Sequence, residues 1–188
     1  MDVLECISTR RSIRSYTDEQ IPEETLLELI ELGTKAPTGS KQEPWGFVIL
    51  QDQGEIENLS AKAKQIILEN FDAYPHFKQY QNLVEDPKFN IFNNAPTVLV
   101  IYGNTASHWY VYDCSLAAGN IMLAAYSKGI GSCWIGFAEA ILNTQEFKDK
   151  HGVPEEFNLV CAIGLGYMKE KLEPPTRKKP LIFGQKTF

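Results

Sequence analysis

Helices interleaved with about four strands, arranged either as a doubly wound α/β sheet or as an α+β fold, are what this sequence predicts, and three observations carry the prediction. Four β-prone apolar runs occur, one beginning near Trp45 and the others at residues 95–103, 131–137 and 157–167. Segments with helical spacing and end signals alternate with them. The chain has 188 residues and is 44% hydrophobic, enough for one sizeable core, so residues 1–188 are expected to form a single domain. Local patterning leaves both architectures open.

Taken in order, Asp2 followed by Glu5 has the spacing of a capping box, and Val3, Leu4 and Ile7 form an apolar stripe, which predicts a helix from residue 2 to about residue 9. The stretch TRRSIRSY, with Arg10, Arg11 and Arg14, follows in its exit loop. A second helix is announced by Pro22 at its first turn, by Glu23 and Glu24 near the positive end of its dipole, and by Gly33 near its end. The loop APTGSKQEPW then leads into a strand containing Phe47 to Leu50. Residues 55–94 are polar and read as a variable helical excursion, helical near 55–70 and 74–83, with Phe71, Tyr74, Phe77 and Tyr80 lacking obvious partners. The helix at 110–129 is apolar almost all round and belongs in the centre. Ala117, Ala118 and Gly119 would let another backbone approach it, and Gly129 ends it. Core packing is the expected role of Trp109, Tyr110 and Tyr112. Residues 168–188 form a basic, proline-containing extension.

The formal charge is −6, spread unevenly. Residues 1–17 hold three basic and two acidic side chains and residues 167–188 hold six and two, leaving nine basic against twenty acidic between them. Such an acidic body repels a long polyanion, so no nucleic-acid partner is expected, whereas two short basic segments brought together could hold one small phosphate. Cys6, Cys114, Cys133 and Cys161 are scattered among apolar neighbours without a CxxC pair, which predicts buried, reduced thiols in a cytoplasmic protein. No membrane-spanning segment is expected. The motifs GxGxxG after a strand, GxxxxGK[ST], HExxH and GxSxG are missing, and His76, His108 and His151 are too scattered to suggest a metal site. With few acid/base candidates, any catalysis is expected to rely on a borrowed cofactor.

In their order and separation, RRSIRSY from Arg10 to Tyr16, APTGSKQEPW from Ala36, GIGSCWIGF after the central helix and RKKPL near the end resemble the nitroreductase family of flavin mononucleotide (FMN) proteins. The resemblance implies an α+β fold with a central, mostly antiparallel sheet flanked by helices. It further implies an intertwined homodimer with FMN at the interface and each C-terminal extension on the partner subunit. Carried over, Arg10, Arg11 and Ser12 would lie near phosphate and ribityl, and Arg14 near the flavin pyrimidine edge. Arg177 and Lys179, or Lys178 in its place, would complete the phosphate site. Pro37, Thr38, Gly39 and Lys41 would reach the other subunit's FMN, and Ile135 with Gly136 would lie against the ring, a backbone N–H towards N5. Lys41 and Glu43 stand where the family commonly has asparagine and glutamine.

Elementary chemistry agrees with these roles. Arginine's planar fork matches phosphate oxygens, a cation beside the pyrimidine edge favours the reduced anionic flavin, and a glycine lets backbone approach a flat ring. The activity implied is hydride transfer from NADH or NADPH through flavin N5 to a small-molecule acceptor, a nitroaromatic, quinone or relative, by a ping-pong mechanism. The alternatives are a flavin-binding or storage protein, a relative with dehalogenase or flavin-destructase chemistry, and a non-enzymatic binding module.

Overall fold

A strand that is apolar on both faces needs cover on both, and Thr97–Asn104 (β2) has it at the centre of a four-stranded sheet. The computed structural model describes residues 1–173 and 176–184. Residues 174–175 and 185–188, within the expected C-terminal extension, lie outside the described residues. The strands are β1 (Trp45–Leu50), β2, β3 (Ile130–Trp134) and β4 (Phe157–Tyr167), ordered β1-β2-β4-β3, and every pairing is antiparallel. That decides for α+β against the doubly wound alternative, whose strands run parallel.

The alternation of side chains along β2 builds two cores. Val98, Val100 and Tyr102 face one, shared with Cys133, Ala162 and the buried stripe Ile56, Leu59 and Ala63 of α3 (Gln53–Glu69). Leu99 and Ile101 face the other, shared with Leu26 and Leu29 of α2 (Glu23–Gly33) and with Cys114, Ala118 and Ile121 of α5 (Tyr110–Ser127). Each Leu or Ile so buried contributes about 1.5–3 kcal/mol. The register slips between Ile101 and Tyr102, whose partners are Cys161 and Leu159, so Val160 is the extra residue and joins Cys161 on the α5 side. Tyr102 fills the first core while its hydroxyl donates to the Leu142 carbonyl. No helix among the described residues is long and apolar enough to cross a membrane.

Several sequence expectations are corrected. Helix α1 (Val3–Thr9) forms and the Asp2 carboxylate accepts from the Glu5 N–H at 2.9 Å, but its stripe of Val3, Leu4 and Ile7 is exposed and only Cys6 is buried. Close approach to α5 does come at Ala117, from Gly33, where an added Cβ would sit 3.4 Å from the Ala117 carbonyl and 2.6 Å from Ile121, but not at Gly119, where one would meet nothing within 4 Å. Trp109 and Tyr112, expected in the core, are exposed; of the three aromatic residues it is Tyr110 that packs on the sheet, where an added Cβ at Gly103 would stand 2.5 Å from its ring. The third strand stops at Trp134 rather than 137, since the chain then turns, with the Glu139 N–H donating to the Gly136 carbonyl. Residues 75–85 are a 3₁₀ stretch, Pro75–Tyr80, continuing into the short α4 (Gln81–Glu85). Two helices the sequence did not announce, α6 (Glu139–Leu142) and α7 (Gln145–His151), cover the first core. The four cysteines are free and buried, as expected; burial, aided by Asp113, pushes the Cys114 thiol up to about 12, which leaves it inert.

An ion-pair cluster ties α3 to α7. Glu55 lies 2.6 Å from Lys150 and 2.9 Å from His151. Burial alone would raise the Glu55 carboxyl, but hydrogen bonds from Lys150 and His151 outweigh it and hold the group below the ordinary carboxylate value. A carboxyl lowered in the folded state adds stability above its unfolded value, about 4.3, and loses it as pH falls through the folded value. Glu55→Gln should therefore melt below the wild type at neutral pH, with the gap closing in acid. A gap that is independent of pH in melting scans would refute this.

Candidate functional site

The basic segment is a short strap lying along the end of the sheet. Ser12 bridges to Ser132 in parallel sense, the Ile13 N–H donates to the Ser132 carbonyl at 2.9 Å, and the Thr17 N–H donates to the Tyr167 carbonyl at 2.9 Å. Ile13 and Tyr16 are its anchors, 2% and 4% exposed. The backbone of two glycines admits them: an added Cβ at Gly131 would stand 2.8 Å from Ile13, and one at Gly166 would stand 2.7 Å from Pro96 and 2.8 Å from Tyr16. Extended backbone alternates its side chains, so with Ile13 inward, Ser12 and Arg14 are outward and exposed, with Arg10 half-buried. Arg11 faces inward, 8% exposed. Its guanidinium donates to the carbonyls of Ser8 at 3.2 Å and Glu173 at 3.3 Å, so it braces α1 and the start of the C-terminal extension. That extension runs back antiparallel along the strap, Met168 bridging Tyr16 and the Lys169 N–H donating to the Ser15 carbonyl at 3.3 Å.

Beside the strap lies a cleft of about 520 Å³, within the range of cofactor and ligand pockets. Arg14 lines it together with Cys133, Ile135 and Gly136 at the end of β3. Burial pushes the Cys133 thiol up, and the positive charges of Arg14 and Arg10 draw part of that back. The Ile135 N–H is taken by the Ala162 carbonyl at 2.9 Å, whereas the Gly136 N–H has no acceptor among the described residues. An added Cβ at Gly136 would meet nothing within 4 Å, so flat matter can rest against this backbone. An open glycine, an uncommitted N–H and a cation in one cleft of this size suit a planar, anionic ring system.

The far wall is one that sequence reasoning missed. Phe77, Tyr80, Leu83 and Phe89 line the cleft from the 55–94 excursion, and Phe137 is their hub. Its ring centroid lies 4.8 Å from Phe77, 5.6 Å from Tyr80 and 5.7 Å from Phe89. The signal was the set of aromatic residues without partners at 71–80, together with the phenylalanine closing GSCWIGF. Asn93, left-handed at φ 54°, adds a polar edge.

Other expected site residues are not gathered into this cleft by the single chain. Pro37 and Lys41 are exposed, and Thr38 and Gly39 half-buried, in a loop beside the start of α5. In that loop Ser40, Lys41 and Glu43 are all left-handed, with φ of 54°, 57° and 47°. Such residues cost on the order of 1–3 kcal/mol each and persist only where the surroundings hold them. Arg177, Lys178 and Lys179 are exposed.

Comparison with known proteins agrees with this architecture. A profile of the nitroreductase family matches residues 7–167. A Methanothermobacter thermautotrophicus protein provisionally named NADH dehydrogenase/NAD(P)H nitroreductase is 29% identical, the match covering 94% of this chain and 82% of that one. An iodotyrosine deiodinase of Thermotoga neapolitana is 22% identical over 95% of each chain. Among solved structures, a Bacteroides fragilis nitroreductase with bound FMN superposes with a TM-score of 0.80 at 29% identity, covering 100% of this chain and 98% of its own. The strap, the sheet order and a match that runs from within α1 to the last residue of β4 lead to one conclusion, that this chain belongs to the nitroreductase family.

Proposed function

We propose that the chain is an FMN-dependent oxidoreductase that takes reducing equivalents from NADH or NADPH and delivers them to a nitroaromatic, quinone or related acceptor by a ping-pong mechanism. The observation that carries the reading is the meeting of Arg14 with the Gly136 backbone in the 520 Å³ cleft. FMN, when bound, supplies reversible hydride acceptance at N5. The chain's own residues do the rest. Arg14 sets a fixed positive charge at one end of the cleft and favours reduction there electrostatically. The Gly136 N–H offers an uncommitted donor. Phe77, Tyr80 and Phe89 exclude water and give planar molecules an apolar wall.

Phosphate retention falls to Arg10 and Ser12 on the strap's outward face, with Arg177 and Lys179 from the extension. Arg11 serves this site by holding Glu173, and with it the root of the extension, beside the strap. Pro37, Thr38, Gly39 and Lys41 reach the FMN of a second copy of the chain in a homodimer. The apolar surface of Val3, Leu4, Ile7, Tyr112 and Leu116, each more than two-fifths exposed, supports such a dimer.

Purified protein should be yellow, and anaerobic NADH or NADPH should bleach it. A colourless protein indifferent to added FMN ends the proposal, and bleaching by dithionite alone would select a flavin-storage role. Reductive dehalogenation is the second reading, supported by the iodotyrosine deiodinase relative. A halotyrosine in the acceptor panel separates the two.

A further inference from the structure

We infer that Asp113, in the first turn of α5, is a positioning residue for the cofactor loop: its carboxylate holds the Gly39 N–H and thereby fixes the turn that presents Thr38 and Lys41. Asp113 is 4% exposed, and both of its oxygens lie 3.1 Å from the Gly39 nitrogen. A carboxylate is seldom buried without strong partners. Here the first turn of a helix, whose free N–H groups favour a negative charge, makes its burial tolerable. The single loop amide is what it grips. Trp109 closes the arrangement from the side, for an added Cβ at Gly39 would fall 2.4 Å from its ring.

The loop needs holding. Ser40, Lys41 and Glu43 are left-handed without being glycine, and a free loop of this composition would relax to ordinary backbone. The Gln42 N–H donates to the Gly39 carbonyl at 3.2 Å, so the residue that Asp113 grips is also the first of the turn. Loss of the carboxylate releases the turn at its origin, and Thr38 and Lys41 then lose their fixed placement. Asp113 acts on the cofactor wholly through Gly39.

The inference rests on the FMN reading above, and two measurements keep their failures apart. FMN dissociation constants come from flavin fluorescence titration, and hydrogen exchange of the peptide covering residues 36–44 is followed in the FMN-free protein. Asp113→Ala should speed exchange of that peptide and weaken FMN binding at least tenfold. Asp113→Asn, which keeps one oxygen acceptor, should stay within about threefold of wild type by both measures. If alanine prevents folding, Asp113→Ser, whose shorter side chain falls short of the Gly39 N–H, takes its place with the same two changes expected, and a folded serine variant unchanged in both measures overturns the inference. FMN affinity that falls while exchange is unchanged, or exchange that rises while affinity is unchanged, overturns the inference. A wild type that does not bind FMN overturns the functional reading instead.

Discussion

Arg14→Ala should release FMN far more readily than the wild type and lower the reduction potential of what remains bound. Arg14 is exposed on the outward face of the strap, between the buried anchors Ile13 and Tyr16, and lines the cleft together with Cys133. A hydrogen bond from a charged donor contributes about 1.5–3 kcal/mol, which corresponds to a loss of affinity of roughly 10- to 150-fold. In the proposed placement the shift in potential follows, because reduction would add negative charge beside this cation. Arg14→Lys separates the two effects. It keeps the charge without the planar fork, so it should recover more of the potential than of the affinity. Ultrafiltration of bound flavin together with a redox titration gives both quantities. An alanine variant with wild-type retention and potential would remove Arg14 from the site.

Gly166→Val should destabilise the fold and empty the cofactor site together. The first added carbon would already press on the Pro96 ring at 2.7 Å and on Tyr16 at 2.8 Å. Neither neighbour yields easily, since the proline ring is rigid and Tyr16 is 4% exposed with its hydroxyl given to the Ile13 carbonyl. Overpacking of this kind costs about 1–3 kcal/mol, visible as a lower urea midpoint. Because Tyr16 anchors the strap, the same pressure displaces Arg10, Ser12 and Arg14, and FMN affinity should fall by more than the stability loss alone explains. Equal FMN affinity in a folded Gly166→Val variant would show that the strap's placement is set elsewhere.

How much of this could be read from the chain differs from residue to residue. The strap was legible because three arginines without a neighbouring acid are locally unusual. Its alternation was not, and Arg11 shows why. Only the bridge of Ser12 to Ser132 determines that residue 11 turns inward to the Glu173 carbonyl while 10, 12 and 14 turn out. Helices α6 and α7 escaped notice because each is short. The Thr144 side chain that caps α7, accepting from the Phe147 N–H at 3.3 Å, is a weak signal without the core beneath it. The stripe on α1 announced a helix correctly while its exposure was not legible, since periodicity reports that a face is apolar and not what covers it.

The sequence by itself determined the positions of the four strands and the main helices, the buried thiols and the motifs by which the family is recognised. Periodicity, caps and turn chemistry act over a few residues and are written locally. Only the tertiary structure decided the antiparallel order β1-β2-β4-β3, the slip at Val160 and the gathering of Phe77, Tyr80, Phe89 and Phe137 around the cleft. It likewise decided the grip of Asp113 on a residue 74 positions away. These depend on which segments meet, and a doubly covered apolar strand looks the same in sequence whichever way its neighbours run.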